Sequence, residues 1–309
     1  MDKKTERLVD VARMYYEQDR NQSEIADQYG ISRPMVSKLL KEARDKGIVT
    51  IRISAPQEES GGALSLMELV GRCFGIYDGV AVPDGPNDQT TNEAVAEAAI
   101  SYLSGLGGTG LGIGWGHIIG DVVKHMEQRE TLVPIGTFVC PLIGNGGVGL
   151  KNYHSNELVR SIAEHSGAQP RFIYSPACVL SEQELKLTRE LDSYHEIYHV
   201  WEKLDVALVN IGNFPSVPDF ASEARYGDQL IRQKAVGRIL NYFMDSQGHI
   251  IRSDTDYAIQ IPLELLSGTR HVVGICSANT SPKAFRGALK TGYLKHFIAP
   301  EHVVREALE

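Results

Sequence analysis

The stretch QSEIADQYGISRPMVSKLLKEARDKGIVTIRI, residues 22–53, has the pattern of two short helices joined by a tight turn and followed by a strand. The first helix is predicted from Asn21 to Tyr29. Asn21 is a favourable N-cap, and Glu24 stands three residues after it, as in a capping box. Gly30 then fits a sharp turn, because a residue without a Cβ adopts a positive φ at the lowest cost.

The second helix is predicted to follow Ser32, its N-cap, and to end at Gly47. Pro34 falls in its first turn, where the missing N–H has no partner to lose. Residues 48–53 then alternate in polarity as a strand does, and they include Arg52. The pattern therefore predicts a helix-turn-helix with a short β-wing.

The two helices would have an apolar and a basic face. The apolar residues would form a small core: Ile25, Ala26, Ile31, Val36, Leu39 and Leu40. A helix in the major groove reads bases with its N-terminal residues and contacts phosphates with the rest. Arg33 is therefore the candidate for a bidentate contact to guanine, and Lys38, Lys41 and Arg44 are candidates for phosphate contacts. The predicted DNA-binding residues are Gln22, Ser32, Arg33, Ser37, Lys38, Lys41 and Arg52.

The charge distribution supports this interpretation. The chain as a whole carries a net charge of −8, yet residues 1–53 hold 11 Lys/Arg against 9 Asp/Glu. Residues 32–52 alone hold 6 basic and 2 acidic side chains. The positive potential is thus local to the second helix and the wing. The alternative, a basic helical hairpin without a nucleic-acid role, would not explain why caps, turn, core and basic face all agree.

The length of 309 residues leaves room for two domains. Residues 1–53 would form the winged helix-turn-helix, with a further helix from Thr5 to Gln18 covering its back. The segment SAPQEESGG, residues 54–62, is polar with Pro and Gly and is predicted to be a linker. Residues 63–309 would form an effector-binding and oligomerisation domain.

Several classes of protein are disfavoured by composition. No stretch approaches the roughly 20 apolar residues of a membrane span. The start, MDKKTERLVD, lacks an apolar secretory segment, so a cytoplasmic location is expected. Four cysteines without CxxC spacing predict free, buried thiols rather than disulfides or a zinc site: Cys73, Cys140, Cys178 and Cys276. No cofactor is predicted.

Beyond the linker, short apolar runs alternate with amphipathic helices, which predicts an α/β domain with a mostly parallel sheet. The predicted strands are 79–82, 110–113, 133–142, 171–174, 206–211, 270–276 and 296–298. The predicted helices are 64–74, 92–104, 117–128, 155–165, 182–191, 194–203, 282–290 and 300–308.

Three loops of this predicted sheet are candidates for a ligand pocket, because ligands bind where parallel strands end and helices begin. They are GLGIGWGH (residues 110–117), LIGNGGVG (142–149) and NIGNFP (210–215). Each alone would be an ordinary tight turn. Together they predict that the carboxyl ends of the strands converge on one ligand.

Two further motifs are weak. GNGGVG, residues 144–149, fits the dinucleotide pattern GxGxxG, but the next helix starts too late and no acidic residue follows to hold a ribose. HEIYH, residues 195–199, fits the zinc motif HExxH, but the third ligand is missing. The same helix carries an apolar stripe, so it is expected to cover the sheet: Leu191, Tyr194, Ile197, Tyr198, Trp201 and Leu204.

Nearly the whole chain resembles the SorC/DeoR-like family of sugar-responsive bacterial transcription regulators. The stretches that carry the resemblance are the helix-turn-helix, GLGIGWGHII, LDVALVNIG, KAVGRILNYFMDSQG and KAFRGALKTGYLKHFIAPEHVVREAL. The resemblance implies a winged helix-turn-helix joined to an effector domain similar to sugar-phosphate isomerases and CoA transferases. It also implies dimers or tetramers and a phosphorylated sugar as inducer.

The chain departs from the family where the effector binds. After the Trp-Gly pair the family carries a threonine that helps to hold the phosphate, whereas this chain has His117. Near the C-terminus Ser281 stands in place of the family's lysine, and Lys283 follows two residues later. Losing a hydroxyl and a cation weakens anion binding. The expected effector is therefore a small carbohydrate, a polyol or a sugar phosphate.

The effector-binding residues predicted from the loops and the resemblance are Gly114, Gly116, His117, Gly144, Asn145, Gly146, Gly147, Asn213, Asp245, Asn279, Ser281 and Lys283. The chain is thus expected to bind double-stranded operator DNA, a small effector and copies of itself, and to be no enzyme. The alternatives are a sugar-phosphate isomerase-like enzyme with a DNA-binding extension, and a scaffolding protein whose DNA affinity no ligand changes.

Overall fold

The computed structural model describes residues 3–16, 18, 20–45, 48–49, 65–147, 149–216 and 225–309. Residues 50–64, with most of the predicted wing, Arg52 and the predicted linker, lie outside this range. The chain divides into two compact units, Met1–Ala63 and Leu64–Glu309. Within the described ranges, no helix combines the length and apolarity that crossing a bilayer requires.

The first unit contains three helices: α1 (Lys3–Tyr16), α2 (Gln22–Tyr29) and α3 (Arg33–Asp45). The predicted capping box is confirmed: the Asn21 side chain accepts bonds from the N–H groups of Ser23 and Glu24, and the Glu24 carboxylate accepts one from the Asn21 N–H. Gly30 ends α2 with φ 62°. The three helices close on a small core of buried side chains: Leu8, Val11, Ala12, Ile25, Ala26, Val36, Leu39, Leu40 and Ala43.

The second unit alternates helices and strands. Its helices are α4 (Leu66–Phe74), α5 (Asp88–Leu106), α6 (His117–Glu127), α7 (Ser155–Ser166), α8 (Glu182–Glu190), α9 (Asp192–Trp201), α10 (Gln229–Arg232), α11 (Leu263–Gly268), α12 (Pro282–Lys290) and α13 (Glu301–Leu308). Its strands are β1 (Asp78–Val82), β2 (Gly110–Ile113), β3 (Phe138–Pro141), β4 (Gln169–Pro170), β5 (Val206–Asn213), β6 (Ala235–Ile239), β7 (Tyr242–Asp245), β8 (His271–Ile275) and β9 (His296–Pro300).

The predicted mostly parallel sheet is confirmed. Seven of the described strands pair in parallel in the order β1-β9-β8-β5-β2-β3-β4. β5 is central and longer than predicted, and its final three residues leave the parallel ladder to pair antiparallel with β6, with Gly212 opposite Arg238. β6 pairs in turn with β7. The sheet therefore gains a hairpin at the carboxyl end of its central strand.

Several sequence predictions for this unit are wrong in detail. The strands β6 and β7 were not predicted, because the turn between them, Leu240 at φ 53° and Asn241, lacks the Asn-Gly pair that usually marks a hairpin. The predicted strand 171–174 is replaced by the two-residue β4, because the Asn156 side chain binds both the N–H and the carbonyl of Ile173. The predicted strand 133–142 shortens to β3.

The four cysteines are free, as predicted. Cys140 and Cys276 are buried, and burial raises the pKa of both thiols. Cys73 is exposed, so its predicted burial is wrong. It occupies the outer side of α4, whose buried face is formed by Val70 and Gly71.

Candidate functional site

The outer face of α3 is basic and open to solvent. Arg33, Ser37, Lys38 and Lys41 are all exposed, as is Ser32 just before the helix, while Gln22 is half-buried. Within the described part of the chain, neither Arg33 nor the two lysines takes part in an ion pair or a hydrogen bond with another residue. Their charges are thus available to an external partner. A row of such cations beside a helix N-terminus is suited to the phosphates and base edges of a major groove.

A cavity of about 500 Å³ lies in the second unit at the carboxyl ends of β2, β5 and β8. The start of α6, the end of β5 and the loop 277–280 form its walls, with Asn92, Tyr153 and Arg238. Its volume suits a small ligand. Two of the three predicted loops, residues 110–117 and 210–215, therefore converge on this cavity, whereas the loop 142–149 contributes no residue to its lining.

Four of the predicted effector residues line this cavity: Gly116, His117, Asn213 and Asn279. Gly114 lies beneath it, since a Cβ at this position would be 3.4 Å from Asn210 Oδ1. Ser281 reaches the wall through its backbone N–H, which donates to Asn213.

The remaining predicted effector residues lie away from the cavity lining. Gly144 and Gly146 pack behind the wall, since a Cβ on Gly146 would meet Trp115 and Tyr153, and the Asn145 side chain accepts a hydrogen bond from the Asn156 N–H. Gly147 is exposed, with open space around it. Asp245 accepts bonds from the N–H groups of Gln247 and His249 in the turn after β7. Lys283 is exposed in the first turn of α12.

The start of α6 exposes backbone donors to the cavity. Gly116 is the N-cap at φ 120°, a conformation that a residue with a Cβ rarely adopts, and it provides no side-chain cap. The first N–H groups of a helix have no partner within the helix. The His117 ring stands edge-on to Tyr153 with centroids 5.7 Å apart. This corner can therefore donate hydrogen bonds to an oxygen-rich ligand.

Asn213 fastens the loop that closes the cavity. Its Nδ2 donates to the Asn279 carbonyl at 2.9 Å, and its Oδ1 accepts from the Ser281 N–H at 2.7 Å. On the far side of the loop, the Asn92 side chain accepts from the Ala278 N–H at 2.7 Å. The two asparagines hold the loop in the conformation that forms the cavity wall.

Replacing Asn213 by alanine should destabilise the second unit by about 1–2 kcal/mol, because two backbone groups lose their partner. The amide of Ser281 should then exchange faster with solvent, which hydrogen-exchange mass spectrometry measures. Asn213→Asp is the matched control, since its carboxylate can still accept from Ser281. Unchanged protection of residues 277–281 in the alanine variant would show that Asn213 does not hold the loop.

Among the cavity residues that sequence reasoning missed are Asp121, Tyr153, Asn210 and Arg238. Asn210 lies in β5, and its Oδ1 is buried without a hydrogen-bond partner among the described residues. Burial raises the pKa of the Asp121 carboxyl, partly offset by Lys124, His125 and His117. The signal for Asn210 was present, since it is the polar end of an apolar strand that leads into a predicted loop. Arg238 lies on a strand that was not predicted.

A second, larger cavity of about 950 Å³ contains none of the predicted effector residues. It lies beside the β6–β7 hairpin, and Tyr226, Tyr242 and Asp256 are among its walls. It is separate from the strand ends where the polar loops converge.

The HExxH helix covers the sheet, in agreement with its apolar stripe. Ile197 and Trp201 of α9 are buried, whereas His195 and His199 are exposed. His199 Nδ1 contacts Glu202 at 2.8 Å. No group of His, Cys, Asp and Glu side chains that could hold a metal ion occurs among the residues the structure describes.

Comparison with known proteins agrees with both units. The Sugar-bind model, a sugar-binding domain, matches residues 59–309, and the Sigma-70 region 4 model matches residues 5–46. A sorbitol operon regulator from Klebsiella pneumoniae is 30% identical over 300 residues, which cover 93% of this chain and 92% of the relative. A deoxyribonucleoside regulator from Bacillus subtilis is 27% identical over 317 residues, covering 99% and 98%.

A solved structure extends the similarity to the fold. The full-length sorbitol operon regulator SorC from K. pneumoniae matches with a TM-score of 0.71 and 27% identity over all of both chains. The first of these relatives is named as an operon regulator, and a further relative from K. pneumoniae, 24% identical over 316 residues, is named as the transcriptional regulator LsrR. A helix-turn-helix with a basic outer face precedes an α/β unit that matches a sugar-binding domain over its length. The chain therefore belongs to the SorC/DeoR-like family of sugar-responsive, DNA-binding transcription regulators.

Proposed function

We propose that the exposed face of α3 reads the operator and that the 500 Å³ cavity receives the small carbohydrate that controls this binding. The observation that carries the proposal is the cavity itself. It lies where the central strands of a parallel sheet end, and its lining is rich in amides and hydroxyls. Asn210 Oδ1 is buried there without a described partner, so a ligand hydroxyl would satisfy an acceptor that is otherwise costly to bury.

The names of the relatives support a carbohydrate-type effector, since one is a sorbitol operon regulator and another is a deoxyribonucleoside regulator. An effector can shift the protein between DNA-binding states only through a difference in its affinity for those states. The regulator should therefore bind the effector with different affinities when free and when on the operator.

This coupling is tested by selecting an operator from random DNA with the purified protein, and then measuring its affinity with sugars, polyols and their phosphates. At least one compound should change the dissociation constant, with a coupling of about 1–3 kcal/mol. The same compound should raise the melting temperature of the protein without DNA. Operator affinity that is unaffected by every compound that raises the melting temperature would overturn control through this cavity.

Replacing Arg33 by alanine should weaken operator binding by about 1–3 kcal/mol and relax the preference at one base pair. A bidentate guanidinium contact to guanine has this effect because the wrong base cannot supply both acceptors. Fluorescence anisotropy with single-base operator variants measures it. Lys41→Ala is the matched control on the same face: it should weaken all sequences equally and reduce the salt dependence. A uniform loss with Arg33→Ala would instead assign Arg33 to the phosphates.

We further propose that the regulator binds its operator as a dimer or tetramer, because helix-turn-helix proteins read paired half-sites. The second unit leaves large apolar side chains exposed, which self-association would cover: Tyr174, Leu180, Leu187 and Leu191. Sedimentation velocity at micromolar concentration should show an oligomer. A monomer on and off the operator would contradict this.

A further inference from the structure

We propose that His302, which lies outside the cavity lining, holds the loop 277–280 when its ring is charged and releases it when the ring is neutral. The cavity would then bind its ligand more tightly at mildly acidic than at alkaline pH. This inference rests on the proposed effector role of the cavity. The loop supplies three lining residues, Ser277, Asn279 and Thr280. His302 is therefore a positioning residue, which acts on the ligand through the backbone of the loop.

Ala278 is the part of the loop that His302 contacts. It is 7% exposed and lies outside the cavity lining, so it faces the protein behind the loop. Its carbonyl is 2.9 Å from His302 Nε2, and its N–H donates to the Asn92 side chain at 2.7 Å. With Asn213, three side chains from α5, β5 and α13 hold the loop. Of these three, only the histidine changes its charge near neutral pH.

Both ring nitrogens of His302 face oxygen atoms that can only accept hydrogen bonds. Nδ1 contacts the Asp84 carboxylate, and Nε2 contacts the Ala278 carbonyl. The imidazolium ion has two N–H groups and satisfies both oxygens. The neutral ring has one N–H and turns a lone pair towards the other oxygen. Deprotonation therefore removes one of the two contacts.

Asp84 also binds the start of α13. Its Oδ2 accepts from the His302 N–H at 3.0 Å, so its charge compensates for a cation in the first turn of a helix. Burial lowers the pKa of His302, but the bonds to Asp84 and the Ala278 carbonyl outweigh it and raise the pKa above its usual value. The stabilisation is thus complete while the ring is charged and disappears as the pH rises through the raised pKa.

The charges around His302 favour its charged form. Glu306, one turn further along α13, also raises its pKa. Glu301 and Arg305 of the same helix pair with each other at 2.9 Å. In the described part of the chain, no hydrogen bond or ion pair joins His302 to the other titratable side chains of the elements packed against α13. These side chains are Glu68, Arg72 and Cys73 of α4, Asp78 of β1, Lys283, Arg286 and Lys290 of α12, and His296 of β9.

The first experiment measures the loop in the full-length protein without ligand or DNA. Hydrogen-exchange mass spectrometry gives the protection of residues 277–281 at about pH 6 and about pH 8.5, on either side of a raised histidine pKa. In the wild type, protection should be about two- to fivefold lower at the higher pH, because one partly exposed hydrogen bond is lost. His302→Gln should show equal protection at both pH values, since an amide does not titrate.

His199→Gln is the matched control. It removes a histidine that contacts a carboxylate, that of Glu202, and has no bond to the loop. Its loop should respond to pH as the wild type does. Equal protection of the wild type at both pH values would overturn the inference, as would a response of His302→Gln like that of the wild type. Each variant is compared with itself, so a less stable His302→Gln does not affect the result.

Asp84→Asn separates the charge effect from a purely structural role of the histidine. It keeps the ring and removes only the negative charge beside it. The pKa of His302 should then fall towards its usual value, so the loss of protection should move to lower pH. The NMR signal of the His302 ring follows the same titration directly. A transition at the same pH as in the wild type would overturn the inference.

The second experiment adds ligand and operator DNA. Sorbitol and deoxyribose are the probes because neither titrates in this range, and their effects on the melting temperature and on operator affinity are measured at both pH values. The wild type should need about two- to fivefold more of a stabilising probe at the higher pH, and His302→Gln should show no difference.

The outcomes distinguish this inference from the proposed function. An equal requirement at both pH values, or no stabilisation by either probe, would overturn the effect of His302 on ligand binding. Probe binding that depends on pH through His302 but leaves operator affinity unchanged would instead overturn the proposed control through the cavity. The role of His302 in holding the loop would then remain.

Discussion

Replacing Trp201 by alanine is expected to lower the free energy of unfolding of the full-length protein's second unit by about 3–5 kcal/mol. The indole is 1% exposed and fastens α9 to the sheet, because its Nε1 donates to the Pro141 carbonyl at 2.8 Å. It also contacts the rings of Tyr194 and Tyr198, with centroids 6.1 and 6.4 Å away. The alanine variant would lose this packing and leave a buried carbonyl without its donor. Urea unfolding followed by circular dichroism measures the change.

The same experiment tests the zinc-protease motif. His195→Ala and His199→Ala should change stability by no more than about 0.5 kcal/mol, since both side chains are exposed. A chelator should have no effect on unfolding. Trp201→Phe separates packing from the hydrogen bond, because it keeps an aromatic ring but loses the donor. If the histidine variants or the chelator lowered the free energy of unfolding as much as Trp201→Ala does, α9 would be a metal-binding helix.

Replacing Asp256 by alanine should lower the free energy of unfolding by a similar amount, about 3–5 kcal/mol. The substitution leaves a buried cation without its counter-charge. Arg225 is 2% exposed, and its Nε and Nη2 both donate to Asp256 Oδ1, at 2.9 and 2.5 Å. Tyr226 donates its hydroxyl to Oδ2 at 2.6 Å. Burial, together with the Asp256 charge, raises the pKa of Tyr226 far above its usual value.

A double-mutant cycle shows whether the loss of stability in Asp256→Ala comes from the unpaired charge of Arg225. Asp256→Ala, Arg225→Met and the double variant are compared by urea unfolding. The double variant should be more stable than Asp256→Ala alone, because it no longer buries an unpaired guanidinium. Strictly additive losses would show that the two side chains contribute independently. Tyr226→Phe is the milder control, as it removes one hydrogen bond and no charge.

Local signals in the sequence were sufficient for the described helices of the first unit. Asn21, Glu24 and Gly30 act within one turn of their own helix, so their roles follow from spacing alone. The apolar positions of α2 and α3 also pack as their helical period requires. The parallel sheet followed from alternating apolar runs, because buried strands and amphipathic helices have different periods.

The cavity depended on contacts that no local pattern contains. Arg238 reaches it because β6 pairs with the last residues of β5, which is a contact between distant segments. The loop 144–147 resembled a ligand site, but close packing explains two of its glycines: a Cβ on Gly144 would be 2.2 Å from the Pro176 carbonyl oxygen, and a Cβ on Gly146 would be 3.0 Å from the Tyr153 carbonyl oxygen. Sequence can indicate that a glycine is needed, but only the fold shows whether a ligand or a neighbouring chain segment occupies the space.

The construction of the cavity couples regulation to protein turnover. Its walls come from segments between Asn92 and Thr280, so a binding-competent cavity exists only when most of the second unit is folded. A compound that binds there withdraws chains from the unfolded pool that cellular proteases degrade. We therefore expect the steady-state amount of the regulator to rise when its effector is plentiful. A pulse-chase comparison of cells with and without the effector would reveal the effect as a longer half-life, and equal half-lives would contradict it.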